Sequence, residues 1–105
     1  MADQLIGDVA SKVLFENDRV RIWETRLAPG ERSVVHHHDL DYVLVQVDGD
    51  RLKGVFEAET AGVYIGEVEA DVVPGNFIFI SKGGAEAAEN SGARPYCEVL
   101  IELKD

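Results

Sequence analysis

An all-β sandwich or barrel is what this sequence predicts, on two observations. No segment carries the three- and four-residue apolar spacing of a long amphipathic helix. Apolar residues come instead in short runs, and Gly, Pro, Asn and Asp separate those runs along most of the chain. At 105 residues the chain makes one domain, long enough to bury a core without disulfide staples.

The first β segment centres on Val13-Leu14-Phe15, and Asn17-Asp18 reads as the turn after it. Arg19 to Leu27 follows, with the strand formers Val20, Ile22, Trp23 and Thr25. Ala28-Pro29-Gly30-Glu31 is a turn, because Pro presets φ and Gly accepts positive φ. Arg32 to His38 is predicted extended. Tyr42 to Val47 is nearly continuous apolar, as in a well-buried strand, and Asp48-Gly49-Asp50 reads as a tight hairpin. Arg51 to Glu57 alternates, with Leu52 and Phe56 on one face and Arg51 and Lys53 on the other. Ala58 to Gly62 reads as a loop and Val63 to Glu69 as a strand. Pro74-Gly75-Asn76 is a second strong turn before the short strand Phe77 to Ile80. Ala85 to Glu89 holds good helix formers, but Gly before it and Asn-Ser-Gly after it leave too few residues for a helix, so it reads as a strand. In the last strand, Tyr96 to Leu103, Cys97, Val99, Ile101 and Leu103 share one face and Glu98 and Glu102 the other. Residues 13–105 form the barrel domain, and residues 1–12 form an N-terminal arm.

Charge and composition exclude several roles. Asp and Glu number 20 against 10 Lys and Arg, for a formal charge of −10. Such a surface repels phosphate backbones and anionic lipids, so neither nucleic acid nor membrane is an expected partner. The single cysteine, Cys97, excludes an internal disulfide and a Cys-rich zinc site. On the apolar face of its strand it reads as an inert buried thiol. No apolar run approaches the roughly 20 residues of a membrane span, and the N-terminal residues lack a secretory pattern. The expectation is a soluble, cytoplasmic protein. No Ser-His-Asp arrangement, P-loop or dinucleotide fingerprint is present.

The three histidines stand together as His36-His37-His38. On a strand His36 and His38 project to one face, with Cβ atoms about 6–7 Å apart, and His37 projects to the other. Two imidazoles on one face can grip one metal ion; the alternative is a polar strand end with solvated rings. Asp39 and Asp41 raise the affinity of nearby imidazoles for cations.

The surrounding residues resemble the cupin family. Gly30, His36, His38 and Gly49 match its first motif, G-x5-H-x-H-x3/4-E-x6-G, with Tyr42 at the Glu position. Gly75, Gly83 and Asn90 match its second, G-x5-P-x-G-x2-H-x3-N, with Ser81 at the Pro position and Glu86 at the His position. The resemblance runs from about Val13 to Leu103 and implies a cupin-type double-stranded β-helix, or jelly-roll, barrel. The runs Phe15 to Trp23 and His38 to Val43 are also similar to a small single-domain group that includes a protein associated with β-alanine breakdown, which implies a metabolic setting.

The usual cupin site presents three histidines and one glutamate to a divalent metal. Here His36, His38 and Glu86, with Tyr42 as a further candidate, are the matching ligands to Fe, Mn, Ni or Zn. Two imidazoles and one carboxylate are the facial-triad composition of non-haem iron sites, and Zn accepts the same set with a water. Tyr42 is either a ligand or proton donor, and with Glu86 a candidate catalytic residue, or a large aromatic filling the barrel. Glu86 is either a pocket ligand or, with a one-residue shift of its strand, an exposed edge charge.

Gln46 shares the face of Tyr42 and needs a hydrogen-bond partner in an apolar strand. It is a candidate pocket residue, as are Trp23 and Phe77, for which core filling is the alternative. If the substrate is a carboxylate, an arginine clamp drawn from Arg21, Arg26 and Arg51 is its natural partner. The chain is then a metal-dependent enzyme of unassigned reaction acting on a small polar metabolite, or a metal-free binding barrel whose ligand positions have changed. An open barrel of this size leaves sheet edges to cover, so a homodimer is expected, with Leu5, Ile6 and Val9 of the arm available as cover.

Overall fold

The computed structural model describes residues 12–56 and 66–104, with the His36 side chain left out. It contains nine strands and no helix among the described residues: β1 Lys12–Glu16, β2 Val20–Leu27, β3 His36–His37, β4 Tyr42–Asp48, β5 Arg51–Phe56, β6 Gly66–Asp71, β7 Phe77–Ile80, β8 Ala85–Asn90 and β9 Tyr96–Leu103. The N-terminal arm as far as Ser11, the loop expected at Ala58 to Gly62 and the start of the strand expected at Val63 lie outside the described residues.

The strands form two antiparallel sheets. One has the order β1-β2-β9-β4-β7 and the other β3-β8-β5-β6. Both sheets supply the walls of a cavity between them, with Leu44 and Ile78 from the first sheet and Leu52, Phe56 and Ala87 from the second. Two apolar clusters fill the remaining interior. Trp23, Tyr42, Leu44 and Leu100 make one, and Leu27, Val72 and Tyr96 make the other.

Both Pro-Gly pairs close turns of the type their sequence demands. Glu31 N donates to Ala28 O and Asn76 N donates to Val73 O, at 2.9 Å each. The third residue of each turn is glycine with positive φ, 83° at Gly30 and 90° at Gly75, which is the type II pattern. Asn17 caps the β1–β2 turn by accepting from the backbone N–H of Arg19 and of Val20. Asn90 is fully buried and fully bonded. Its amide donates to Leu27 O and Arg94 O, and its carbonyl accepts from Gly92 N, so it ties the end of β2 to the turn before β9.

Two expectations about connectivity fail. Asp48-Gly49-Asp50 is not a hairpin, because β4 pairs with β7 and β9 while β5 pairs with β6 and β8. The link carries the chain from one sheet to the other. Gly49 takes φ 147°, and a Cβ there would stand 2.8 Å from Tyr96 Cδ1, so the crossing needs glycine. The segment expected to be extended from Arg32 to His38 forms a strand only at His36–His37, preceded by an isolated bridge between Arg32 and Glu89.

The last strand holds a further correction. Its inward face carries Tyr96, Glu98, Leu100 and Glu102, all buried, whereas Leu103 of the apolar alternate is exposed. The outward row runs unbroken through the register partners Phe15, Ile22, Ile101, Val43 and Phe79. Cys97 sits on this outer face yet is buried, and burial pushes its thiol pKa up, which suits an unreactive thiol.

Candidate functional site

Three side chains expected to share a pocket do meet. Glu86 leaves β8 beside His38 and Tyr42. Its Oε2 accepts from the Tyr42 hydroxyl at 2.9 Å and lies 3.2 Å from His38 Nε2. The His38 and Tyr42 rings stack with centroids 3.9 Å apart and planes 20° from parallel. His38 is only 1% exposed. Its backbone is clamped on both sides, since His38 N donates to Gly84 O and Gly83 N donates to His38 O, at 2.9 Å each. The φ of 105° at Gly83 allows this close return of the chain, which accounts for glycine at that motif position.

The register of β8 is the one that turns Glu86 inward. Glu86 pairs with Phe56 on one side and with His36 on the other. The His36 backbone is therefore the cross-strand partner of Glu86, while its side chain lies outside the described part. His37 turns away, as its parity requires, and its Nδ1 lies 3.0 Å from Asp39 on the surface. Neither aspartate joins the cluster. Asp39 holds His37, and the Asp41 carboxylate accepts from Lys82 N.

The donors present suit a divalent metal. An imidazole nitrogen and a carboxylate oxygen 3.2 Å apart are at the spacing of two ligands that each stand about 2.0–2.2 Å from one ion. Among the described residues no three His, Cys, Asp or Glu side chains converge, so the described donors are His38 and Glu86, with the Tyr42 phenol beside them.

Glu86 also opens onto a larger space. It lines the cavity between the sheets, about 370 Å³ in volume. His38 and Tyr42 do not line that cavity. They border a second void of about 10 Å³, room for one water, and Glu86 is common to both spaces.

The other candidate residues divide. Gln46 is buried and lines the cavity, where its Oε1 accepts from Val73 N at 3.2 Å. Trp23 is a core residue rather than a pocket wall. Its indole N–H donates to Glu102 Oε1 at 2.7 Å, and the Arg21 guanidinium lies over its ring. Phe77 faces the outside at 69% exposure, because strand alternation gives the cavity to its neighbours Ile78 and Ile80.

Of the three arginine candidates only Arg26 borders the cavity. Arg21 donates to Glu102 and Arg51 to Glu69 and Asp71, whereas Arg26 donates to Glu24 and also lines the cavity. Arginine at the cavity margin comes from Arg26 and Arg32, both exposed. Two buried acids, Glu98 and Glu102, were not among the expected site residues. The signal that could have found Glu98 is its place opposite Gln46, since the two are register partners and both line the cavity.

Solved structures share this fold. A cupin domain from Bordetella pertussis Tohama I superposes with a TM-score of 0.74 at 23% identity, over 94% of this chain and 100% of that one. The chain has the cupin fold. A cupin superfamily protein from Desulfitobacterium hafniense matches 95% of this chain and 84% of its own, at 20% identity and a TM-score of 0.63. A cupin with a double-stranded β-helix fold from Methanocaldococcus jannaschii matches 93% and 94%, at 13% identity and a TM-score of 0.68. No family model and no curated protein matches the sequence. Within this fold the altered motif positions are neighbours in space: Tyr42, where the first motif has glutamate, donates to Glu86, where the second has histidine.

Proposed function

We propose that this cupin binds a small polar metabolite in the cavity between its sheets and holds a divalent metal ion at the cavity's border. His36, His38 and Glu86 are the ligands in this reading, and Tyr42 stands beside them as a proton donor. The observation that carries the reading is the double placement of Glu86, hydrogen-bonded to Tyr42 and close to His38 on one side and exposed to the cavity on the other. A divalent ion there supplies a Lewis acid next to the ligand space. Glu86 would then serve as ligand while accepting the hydrogen bond of the Tyr42 hydroxyl. The stacked Tyr42 ring holds His38 in place.

A second reading has its own support. The Tyr42 hydroxyl and the Glu86 carboxylate already satisfy one another. A metal-free barrel in which these residues only hold the wall together is consistent with that bond. Elemental analysis separates the two after purification without a nickel column. Near-stoichiometric Fe, Mn, Ni or Zn that falls to background in Glu86→Ala supports the metal reading. Metal-free protein, or full occupancy without the carboxylate, overturns it.

The outer face of the five-stranded sheet supports a homodimer. Phe15, Phe77 and Phe79 are each more than half exposed there. The Phe15 to Phe79 row holds no charged residue. Two copies at −10 each approach with least repulsion through such a face. In the structure described, apolar surface on this face, rather than a bare sheet edge, is what a second copy would cover.

A further inference from the structure

We propose that the cavity between the sheets takes an uncharged ligand with a largely apolar body, because the charged groups on its wall are committed to protein partners. This inference rests on the reading of the cavity as a small-molecule site and narrows the class of its occupant.

Two acids border the cavity, Glu86 and Glu98. Each accepts a hydrogen bond from a tyrosine hydroxyl, Glu86 from Tyr42 at 2.9 Å and Glu98 from Tyr96 at 2.5 Å. Both tyrosines are 1% exposed, so each donor is built into the wall, and breaking either bond would leave a buried hydroxyl to satisfy. The neutral polar groups are engaged as well. Gln46 Oε1 accepts from Val73 N at 3.2 Å, and Ser33 Oγ accepts from Ala88 N at 2.9 Å. Thr25 adds one uncharged hydroxyl to the wall.

The other charged lining residues, Arg26, Glu31 and Arg32, stand at the exposed margin. Arg26 pairs with Glu24, and Glu31 accepts from Ala28 N. Arg32 is bridged to Glu89, and Glu89 pairs with Lys53, which alternates with the lining residues Leu52 and Gly54. Cross-strand partners share a face, so Arg32 meets the margin from the side of the sheet turned away from the cavity.

An ion that leaves water needs a partner of its own. An anion in this cavity faces two carboxylates, and no lysine or arginine among the described residues is buried. A cation must compete for acids that the tyrosines already hold. A neutral apolar body leaves every one of these bonds in place. Leu44, Leu52, Phe56, Ile78 and Ile80, from β4, β5 and β7, give it its contact surface. An uncharged oxygen on the ligand has its place at the Glu86 end, where the cavity meets the void beside His38 and Tyr42.

The test is titration of chelator-treated, full-length protein at pH 7 with benzyl alcohol, sodium benzoate and benzylammonium chloride, read by calorimetry and by methyl NMR. Benzyl alcohol should bind one saturable site and shift the methyls of Leu44, Leu52 and Ile78. Benzoate and benzylammonium should each bind at least about tenfold more weakly. Ala88→Leu, which fills the cavity, should weaken benzyl alcohol about tenfold or more. Should that variant fail to fold, Ala70→Leu on the exposed strand β6 takes its place, with a several-fold loss expected. Benzoate or benzylammonium binding in the cavity as tightly as the alcohol overturns this inference and leaves the cavity a small-molecule site. Benzyl alcohol binding that moves none of these methyls, or that the filled cavity does not weaken, also overturns it. Saturable binding of none of the three strikes the reading of the cavity itself, and the inference with it.

Discussion

The two faces of the five-stranded sheet differ in what they bury and expose: polar residues sit among the core side chains inside, and large apolar ones lie outside. The inner face carries Thr25, Gln46, Glu98 and Glu102, all buried, two of them acids. The outer face carries Phe15, Phe77, Phe79, Val47 and Leu103, all exposed. A sheet whose only task was to seal a core would place them the other way round. Polar groups inside a barrel cost stability unless they are bonded or meet a ligand, and apolar groups outside are costly in water unless a partner covers them. In the proposed reading the inner face is a wall shared by a core and a binding site, and the outer face is the contact surface of a homodimer.

The inner face is itself divided. At one end Glu102 is closed off. It is 1% exposed and accepts from the Arg21 guanidinium and from the Trp23 indole N–H. Glu102 lines neither of the two cavities described, and its partners are a core indole and the Arg21 guanidinium. At the other end Glu98 borders open space. Glu102→Ala should therefore produce the largest loss of stability, about 3 kcal/mol, by leaving a buried indole N–H and a half-buried guanidinium without their acceptor. Urea unfolding measures it. A loss below about 1 kcal/mol would remove the distinction between the two acids.

On the other face, Phe79→Asp should weaken the proposed dimer about a hundredfold, because it would bury a charge at the centre of an apolar contact. The monomer's own stability should change by about 0.5 kcal/mol or less, as Phe79 is exposed. Sedimentation velocity over a concentration series reads the first and thermal unfolding the second. Unchanged association would leave the apolar face without a partner.

Alkaline pH gives the third contrast. The Tyr96 phenol is held protonated in the folded protein by burial and by Glu98, while in the unfolded chain it ionises near 10. Its contribution is complete below pH 10 and is lost as pH rises above 10 towards the folded value. Unfolding free energy should fall between pH 9 and pH 11, by less in Tyr96→Phe than in wild type. Cys97, also raised by burial, leaves a residual slope of the same sign. An identical slope in the variant would show that Tyr96 is not the group concerned.

The smallest effect belongs to the surface. Arg51 bridges Glu69 and Asp71, but all three side chains are substantially exposed. Arg51→Ala should cost no more than about 0.5 kcal/mol, against the much larger cost at Glu102. A comparable cost would mean that the polar network outside the barrel matters as much as the one inside.

Local signals in the sequence were legible wherever a short-range rule governed. Pro29-Gly30 and Pro74-Gly75 each demand a turn, and each makes one. Glu86, which the sequence leaves as either a pocket ligand or an edge charge, turns to His38 and Tyr42 on a strand flanked by the backbone bonds of Gly83 and Asn90. What escaped depended on long-range choices. Asp48-Gly49-Asp50 has the residues of a hairpin, yet only tertiary pairing decides that β4 and β5 belong to different sheets. The alternation in Tyr96 to Leu103 separated the two faces correctly but could not say which one is inside. Hydrophobicity pointed to the face with Val99 and Ile101, and a buried row of acids reversed it. Phe77 followed the same misleading rule.

The most direct test of the convergence on Glu86 is an anomalous difference map from crystals of chelator-treated protein resoaked in manganese chloride. The expected peak lies within bonding distance of the Glu86 carboxylate and His38 Nε2, with His36 completing the set, at the border of the cavity. Peaks only among surface acids, with Glu86 still joined to Tyr42 and His38, would contradict a metal centre in this barrel.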